Sequence, residues 1–148
     1  MSGFIRVTAD AADGDFELNL SFSKGGFSGQ GDAYFSANVL LSFCKDLGQF
    51  PLAFPLPSLK GGYWKSDEDS TVLALETLGV WIESIDSHGY AALKVLAAKP
   101  HDNRDDFSWS HTACAEFRVS YEQLDRFSKD IVSLVNGRVD EVILREEH

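Results

Sequence analysis

Residues 107–136 carry two different apolar periods back to back, and the join between them constrains the fold more than any other feature. Phe107, Trp109, His111, Ala113, Ala115, Phe117 and Val119 fall on one face of an alternating run. Ser108, Ser110, Thr112, Cys114, Glu116 and Arg118 fall on the other. A period of two is that of a long, half-buried strand. Ser120 and Gln123 then form a capping box in "SYEQ", and Leu124, Phe127, Ile131, Leu134 and Val135 recur at helical spacing. Gly137 suits the position just past a helix end, which predicts a helix over 121–136. A one-faced strand leading straight into a one-faced helix buries both against a shared core, which is the pattern of an α+β domain.

The rest of the chain agrees with that class. "FIRVTA" (4–9) alternates moderately, and "FELNLSF" (16–22) alternates cleanly with Phe16, Leu18, Leu20 and Phe22 on one side. A third strand, about 27–34, is weakened by Gly25, Gly26, Gly29 and Gly31. Ser36 caps a helix of about 37–49, with Val39, Leu40, Phe43, Leu47 and Phe50 at helical spacing. Three prolines within 51–57 forbid regular structure and predict an extended loop over the core. "TVLALETL", "VWIESI" and "YAALKVLAA" read as strands, with Gly79 as a bulge between the first two. "DSHG" (86–89) suits a hairpin turn with Gly89 left-handed. The expected architecture is one domain, 1–148, built on a single antiparallel sheet of six to eight strands. Two helices, the second near the C-terminus, pack on one face of that sheet. The tail 138–148 reads as an extra strand, a fraying extension or a partner contact.

Several kinds of chemistry find no support. "GGFSGQG" (25–31) lacks the Lys-Ser/Thr of a phosphate loop and does not fit GxGxxG, so it reads as a turn or bulge. No GxSxG or HExxH is present. His111 and Cys114 are an odd number of residues apart and point to opposite faces of a strand, so they do not cooperate. His111 reads as a packed histidine on the apolar face. No histidine has a second ligand at metal spacing, so neither a metal nor a cofactor is expected. Cys44 and Cys114 are the only cysteines and read as free thiols. No run approaches the roughly 20 apolar residues of a membrane span, and no secretory signal is visible, so a cytoplasmic location is the default.

The net charge of −10 argues against nucleic acid or an anionic membrane as partner, and is compatible with a basic protein. Residues 67–106 hold nine acids against three bases, a net of −6. A hairpin of 71–86 with 89–99 brings two loops to its open end. One carries Asp67, Glu68 and Asp69, the other Asp102, Asp105 and Asp106. The functional reading is an anionic docking patch anchored by Trp64 or Trp109; the bland one is a solvated loop end.

The segment "LETLGVWIESIDSHGYAALKVLAA", a Trp-containing strand and "FRVSYEQLDRFSKDIVSLV" together resemble a group of small bacterial proteins, including immunity proteins of the WapI type. The shared pattern is a hairpin at Asp86, Gly89, Leu93 and Val95, then a last strand entering a helix at Glu122, Gln123 and Leu124. The resemblance spans about 34–136, and the proline-rich loop 51–57 departs from it. It implies a non-catalytic protein that neutralises a basic toxin by binding it through an acidic surface. The competing classes are a small-ligand-binding domain, an enzyme with clustered perturbed groups, and a homodimeric structural module.

Overall fold

The computed structural model describes residues 3–64, 73–100 and 109–146. Among the described residues it is an α+β fold with eight strands and two helices. In chain order these are β1 (Phe4–Ala12), β2 (Asp15–Lys24), β3 (Phe27–Ser36), α1 (Ala37–Leu47), β4 (Ser58–Trp64), β5 (Leu73–Ile85), β6 (Tyr90–Pro100), β7 (Trp109–Ser120), α2 (Tyr121–Val135) and β8 (Val142–Arg145).

The strands form two antiparallel sheets of four, ordered β3-β2-β1-β8 and β4-β5-β6-β7, rather than one sheet of six to eight. Alternation tells which face of a strand is buried but not what buries it, and here each sheet supplies the other's cover. From the first sheet Ile5, Val7, Leu18, Leu20, Phe22 and Phe35 point inward; from the second, Val80, Ile82, Leu93, Val95, Phe117 and Val119 meet them. Phe22 and Phe117 meet edge to face, with ring centroids 6.3 Å apart.

The glycines of β3 explain why the sheets stack instead of joining. Gly31 lies on the inner face, where a Cβ would stand 2.3 Å from the carbonyl oxygen of Thr77 and 3.2 Å from Cα of Ala97. At Gly29 a Cβ would stand 2.9 Å from Cβ of Ala113. Residues read as weakening a strand thus let its backbone cross the second sheet at close range. Thr77 Oγ1 donates to the Asp32 carbonyl at 2.6 Å and ties the crossing together.

Both helices start where their caps require. Ser36 Oγ accepts from the Val39 N–H at 3.2 Å. Ser120 Oγ accepts from Gln123 N–H, and Gln123 Oε1 accepts from Ser120 N–H, each at 3.1 Å. At the far end of α2, Gly137 N–H bonds to Leu134 O and Arg138 N–H to Ser133 O, a Schellman closure with Gly137 at φ 74°. Leu40, Phe43 and Leu47 of α1 and Leu124, Phe127, Ile131 and Leu134 of α2 are buried. Val39 and Phe50, expected in the α1 stripe, are exposed, because Val39 looks out of the first turn and the helix ends before Phe50. Phe50 instead meets Tyr121 edge to face at 5.1 Å.

Three further expectations change. β5 is one continuous strand in which Gly79 pairs in register with Lys60 and Leu96; the register shifts lie instead between Ile82 and Ser84 and, against β4, between Glu76 and Leu78 and between Leu73 and Leu75. Of the run expected to be half-buried over 107–119, the described part, 109–119, is buried only at Phe117 and Val119, because its first half extends beyond the cover of the first sheet. His111 is therefore exposed, its Nδ1 2.7 Å from Ser110 Oγ, and is not a packed core residue. The 86–89 turn is as expected, with Gly89 at φ 84°. Asp86 accepts from the N–H groups of Tyr90 and His88, which together hold its carboxyl below the ordinary range. The tail forms the fourth strand of the first sheet. No described helix is long and apolar enough to cross a membrane.

Gly31→Ala is expected to destabilise the fold by about 1–3 kcal/mol, because its neighbours are backbone atoms that cannot swing away; chemical denaturation measures this. Both cysteines are free, Cys44 buried and Cys114 exposed. A thiol reagent should therefore modify Cys114 in the native protein and Cys44 only after unfolding. Burial lifts the Cys44 thiol from 9.0 to about 11. A raised folded-state value means that stability is fully present below the ordinary thiol range and is lost as pH rises through the folded value. Melting temperature should thus fall across that alkaline window, and fall less in Cys44→Ala.

Candidate functional site

The open end of the second sheet is defined by two strand pairs. Trp64 pairs with Leu73, and Pro100 pairs with Trp109. Since β5 and β6 run antiparallel with Leu78 opposite Ala97, both pairs stand at the same end of the sheet. Residues 65–72 and 101–108 connect these strands. Asp67, Glu68, Asp69, Asp102, Asp105 and Asp106 lie outside the described residues. Of the expected patch, Trp109 is described. It is 42% exposed, and its Nε1–H donates to the Glu76 carbonyl at 2.8 Å, reaching across β6 to β5.

The β3 crossing brings further groups to this end. On the outer face of the first sheet, register sets Asp10 opposite Glu17, Glu17 opposite Tyr34, and Asn19 opposite Asp32. The Tyr34 hydroxyl donates to the Glu17 carboxylate, and that bond with the adjacent negative charge holds the phenol above its ordinary range. Partial burial raises the Asp32 carboxyl, the charge of Glu17 raises it further, and Lys99 opposes both. A hollow of about 350 Å³ lies between the crossing and the sheet end, lined by Gln30, Asp32, Tyr63, Lys99 and Pro100. Tyr34 is 59% and Tyr63 48% exposed.

Glu76 adds a second unfavourable carboxylate. Its Oε1 is buried without a hydrogen-bond partner among the described residues. It lies over Gly79, where a Cβ would stand 2.3 Å from it. Burial raises this carboxyl, and Lys60 opposes the rise. The Lys60 ammonium itself lies 4.8 Å over the Trp81 ring.

The alternation of β3 could have revealed this site. Read through its glycines, Gly29, Gly31, Ala33 and Phe35 turn inward while Gln30, Asp32 and Tyr34 turn outward. The sequence reading missed Glu17, Asp32, Tyr34, Tyr63 and Lys99 because only the fold brings β3 to the end of the second sheet. His111 and Cys114 sit opposite Lys99 and Leu96, on opposite faces, and form no joint site. Among the described residues no three His, Cys, Asp or Glu side chains are grouped as metal ligands. No protein-family model, curated protein or solved structure matches the chain.

Raised carboxyl values in the folded state mean that ionisation of Asp32 at neutral pH opposes folding. Asp32→Asn should therefore raise the melting temperature at pH 7. The gain should vanish as pH falls below the ordinary carboxyl range, where the unfolded chain is protonated too. Melting curves at the two pH values decide it.

Proposed function

We propose that this chain is a non-catalytic binding protein that docks a basic protein through the open end of its second sheet. The observation that carries the reading is the placing of the Glu17 and Asp32 carboxylates on adjacent strands, beside exposed Tyr34 and Tyr63 at this end of the sheet. Neighbouring like charges raise the free energy of the free surface, and a cationic partner relieves it. Exposed aromatics supply the anchors that such interfaces use. The segments carrying the acids at 67–69 and 102–106 connect strands whose described ends stand at this end of the sheet.

A basic toxin neutralised by an immunity protein of this kind fits the chemistry, and the resemblance to WapI-type proteins favours it. A cleft built to hold nucleic acid is cationic, and an acidic protein surface occupies it with fast, steered association. A small-ligand reading draws on the 350 Å³ hollow, but that hollow is polar and open at the rim, unlike the largely apolar pockets that enclose ligands.

The test uses a basic protein encoded by a gene adjacent to this one. Stopped-flow association should slow steeply as salt rises. Replacing Asp102, Asp105 and Asp106 with Asn should slow association by up to about tenfold and leave dissociation nearly unchanged. Tyr34→Ala should instead speed dissociation, since an anchor holds the complex after encounter. Equal association rates at low and high salt would remove the electrostatic reading.

A further inference from the structure

The second surface lies at the other edge of the first sheet. β8 is the last strand in the order β3-β2-β1-β8, and among the described residues no strand pairs with its outer side. Glu146 N–H donates to the Gly3 carbonyl at 2.9 Å, so Glu146 directs its backbone toward the β1 side. In an antiparallel ladder the N–H and C=O of one residue share a side, and successive residues alternate. Val142 and Leu144 therefore face β1, while Ile143 and Arg145 turn their backbone groups outward. Gln123 Nε2 donates to the Arg145 carbonyl at 2.7 Å, which closes one of these positions. The N–H groups of Ile143 and Arg145 and the carbonyl of Ile143 remain directed along the open edge.

That edge borders a groove of about 360 Å³ between β8 and α2. Gln123, Arg126 and Asp130 form the helical wall, Ile143 and Arg145 the strand wall, and buried Phe127 the floor. The Ile143 side chain is 42% exposed. On a chain of net charge −10, this groove presents two arginines against one aspartate. Arg126 lies 3.4 Å from Glu122, but both side chains are largely exposed, so the pair is weak and leaves the guanidinium available.

We propose that the α2–β8 groove binds an extended acidic peptide segment of a partner protein by strand addition. The peptide main chain pairs with the outward groups of Ile143 and Arg145. Its carboxylates, on one face of the extended chain, meet Arg126 on the helix side, while its apolar residues on the other face cover Ile143 and the stem of Arg145. Backbone pairing supplies affinity and the side chains supply selectivity. An acidic segment is the occupant because a basic one would set cations against both arginines.

The probe is a fluorescein-labelled peptide of alternating valine and glutamate, with alternating valine and lysine as its counterpart, titrated against the full chain by fluorescence anisotropy. The glutamate peptide should bind and the lysine peptide should not. Arg126→Glu with Arg145→Glu should reverse that preference. Ile143→Pro removes an outward donor while leaving the β1 ladder intact, and should weaken binding about tenfold, the loss of one main-chain bond. A glutamate peptide with alternate N-methylated amides should lose binding to the unmodified chain, which keeps the test decisive if Ile143→Pro fails to fold. Bound peptide should also slow hydrogen exchange at the Ile143 and Arg145 amides. Absence of binding at near-millimolar peptide, equal binding of both peptides, or full binding of the N-methylated peptide would each overturn the proposal. None of these outcomes bears on the acidic surface, which is tested with a different partner.

Discussion

The architecture depends on how closely β3 crosses the second sheet. With glycine at position 31, backbone meets backbone, and a Cβ would come within 2.3 Å of the Thr77 carbonyl. At that corner the sheets touch through glycine and alanine, and away from it they diverge. Along β3 the inward residues grow in size, from Gly29 and Gly31 through Ala33 to Phe35, whose ring reaches Gly61 of β4. The two helices close the open side of this wedge, with Phe43 of α1 and Phe127 and Ile131 of α2 reaching the same interior as Leu18, Leu20 and Val80. Tapering residue size along one strand thus sets the angle between the sheets and the room left for the helices.

Much of this was legible where local chemistry decides the outcome. The caps at Ser36 and Ser120, the closure at Gly137 and the hairpin at Asp86 each follow from side chains within a few residues of one another, and each is present. Alternation in β2 correctly assigned Leu18, Leu20 and Phe22 to the core. What escaped the sequence was long-range. Period-two patterns are the same whether a strand's apolar face meets helices or another sheet, so two stacked sheets were read as one. The exposure of His111 has the same origin: its strand alternates throughout, but the covering sheet ends before reaching it. Gly79 was read as a backbone irregularity, yet it makes room for the Glu76 side chain.

The candidate site is a by-product of that crossing. Because β3 must run over the end of the second sheet, its outer residues Asp32 and Tyr34 arrive beside Tyr63, Lys99 and the strand ends at Trp64 and Trp109. Asp32 carries a double role. Its carbonyl holds the crossing through Thr77, while its carboxylate stands beside Glu17 in an environment that resists ionisation. Stability alone would favour an uncharged side chain there, since the backbone bond to Thr77 does not need the carboxylate. A charge kept where it works against the fold is the pattern of a surface that gains from binding.

The acidic end and the arginine groove occupy opposite edges of the same sheet, β3 and β8, with β2 and β1 between them. Three strand spacings separate those edges by roughly 14 Å. Exposed charges are screened within about 8 Å at physiological ionic strength, so the field of Asp32 and Glu17 barely reaches Arg145. The groove's two arginines are thus set apart from those carboxylates on a chain whose overall charge is −10. The basic protein and the acidic segment proposed as partners would then not compete for one surface. Between them the sheet is bonded strand to strand, and Lys24 bridges it to the second sheet through Glu146 and the Glu116 carbonyl. Any coupling between the two surfaces has to pass through that hydrogen-bonded framework rather than through the field.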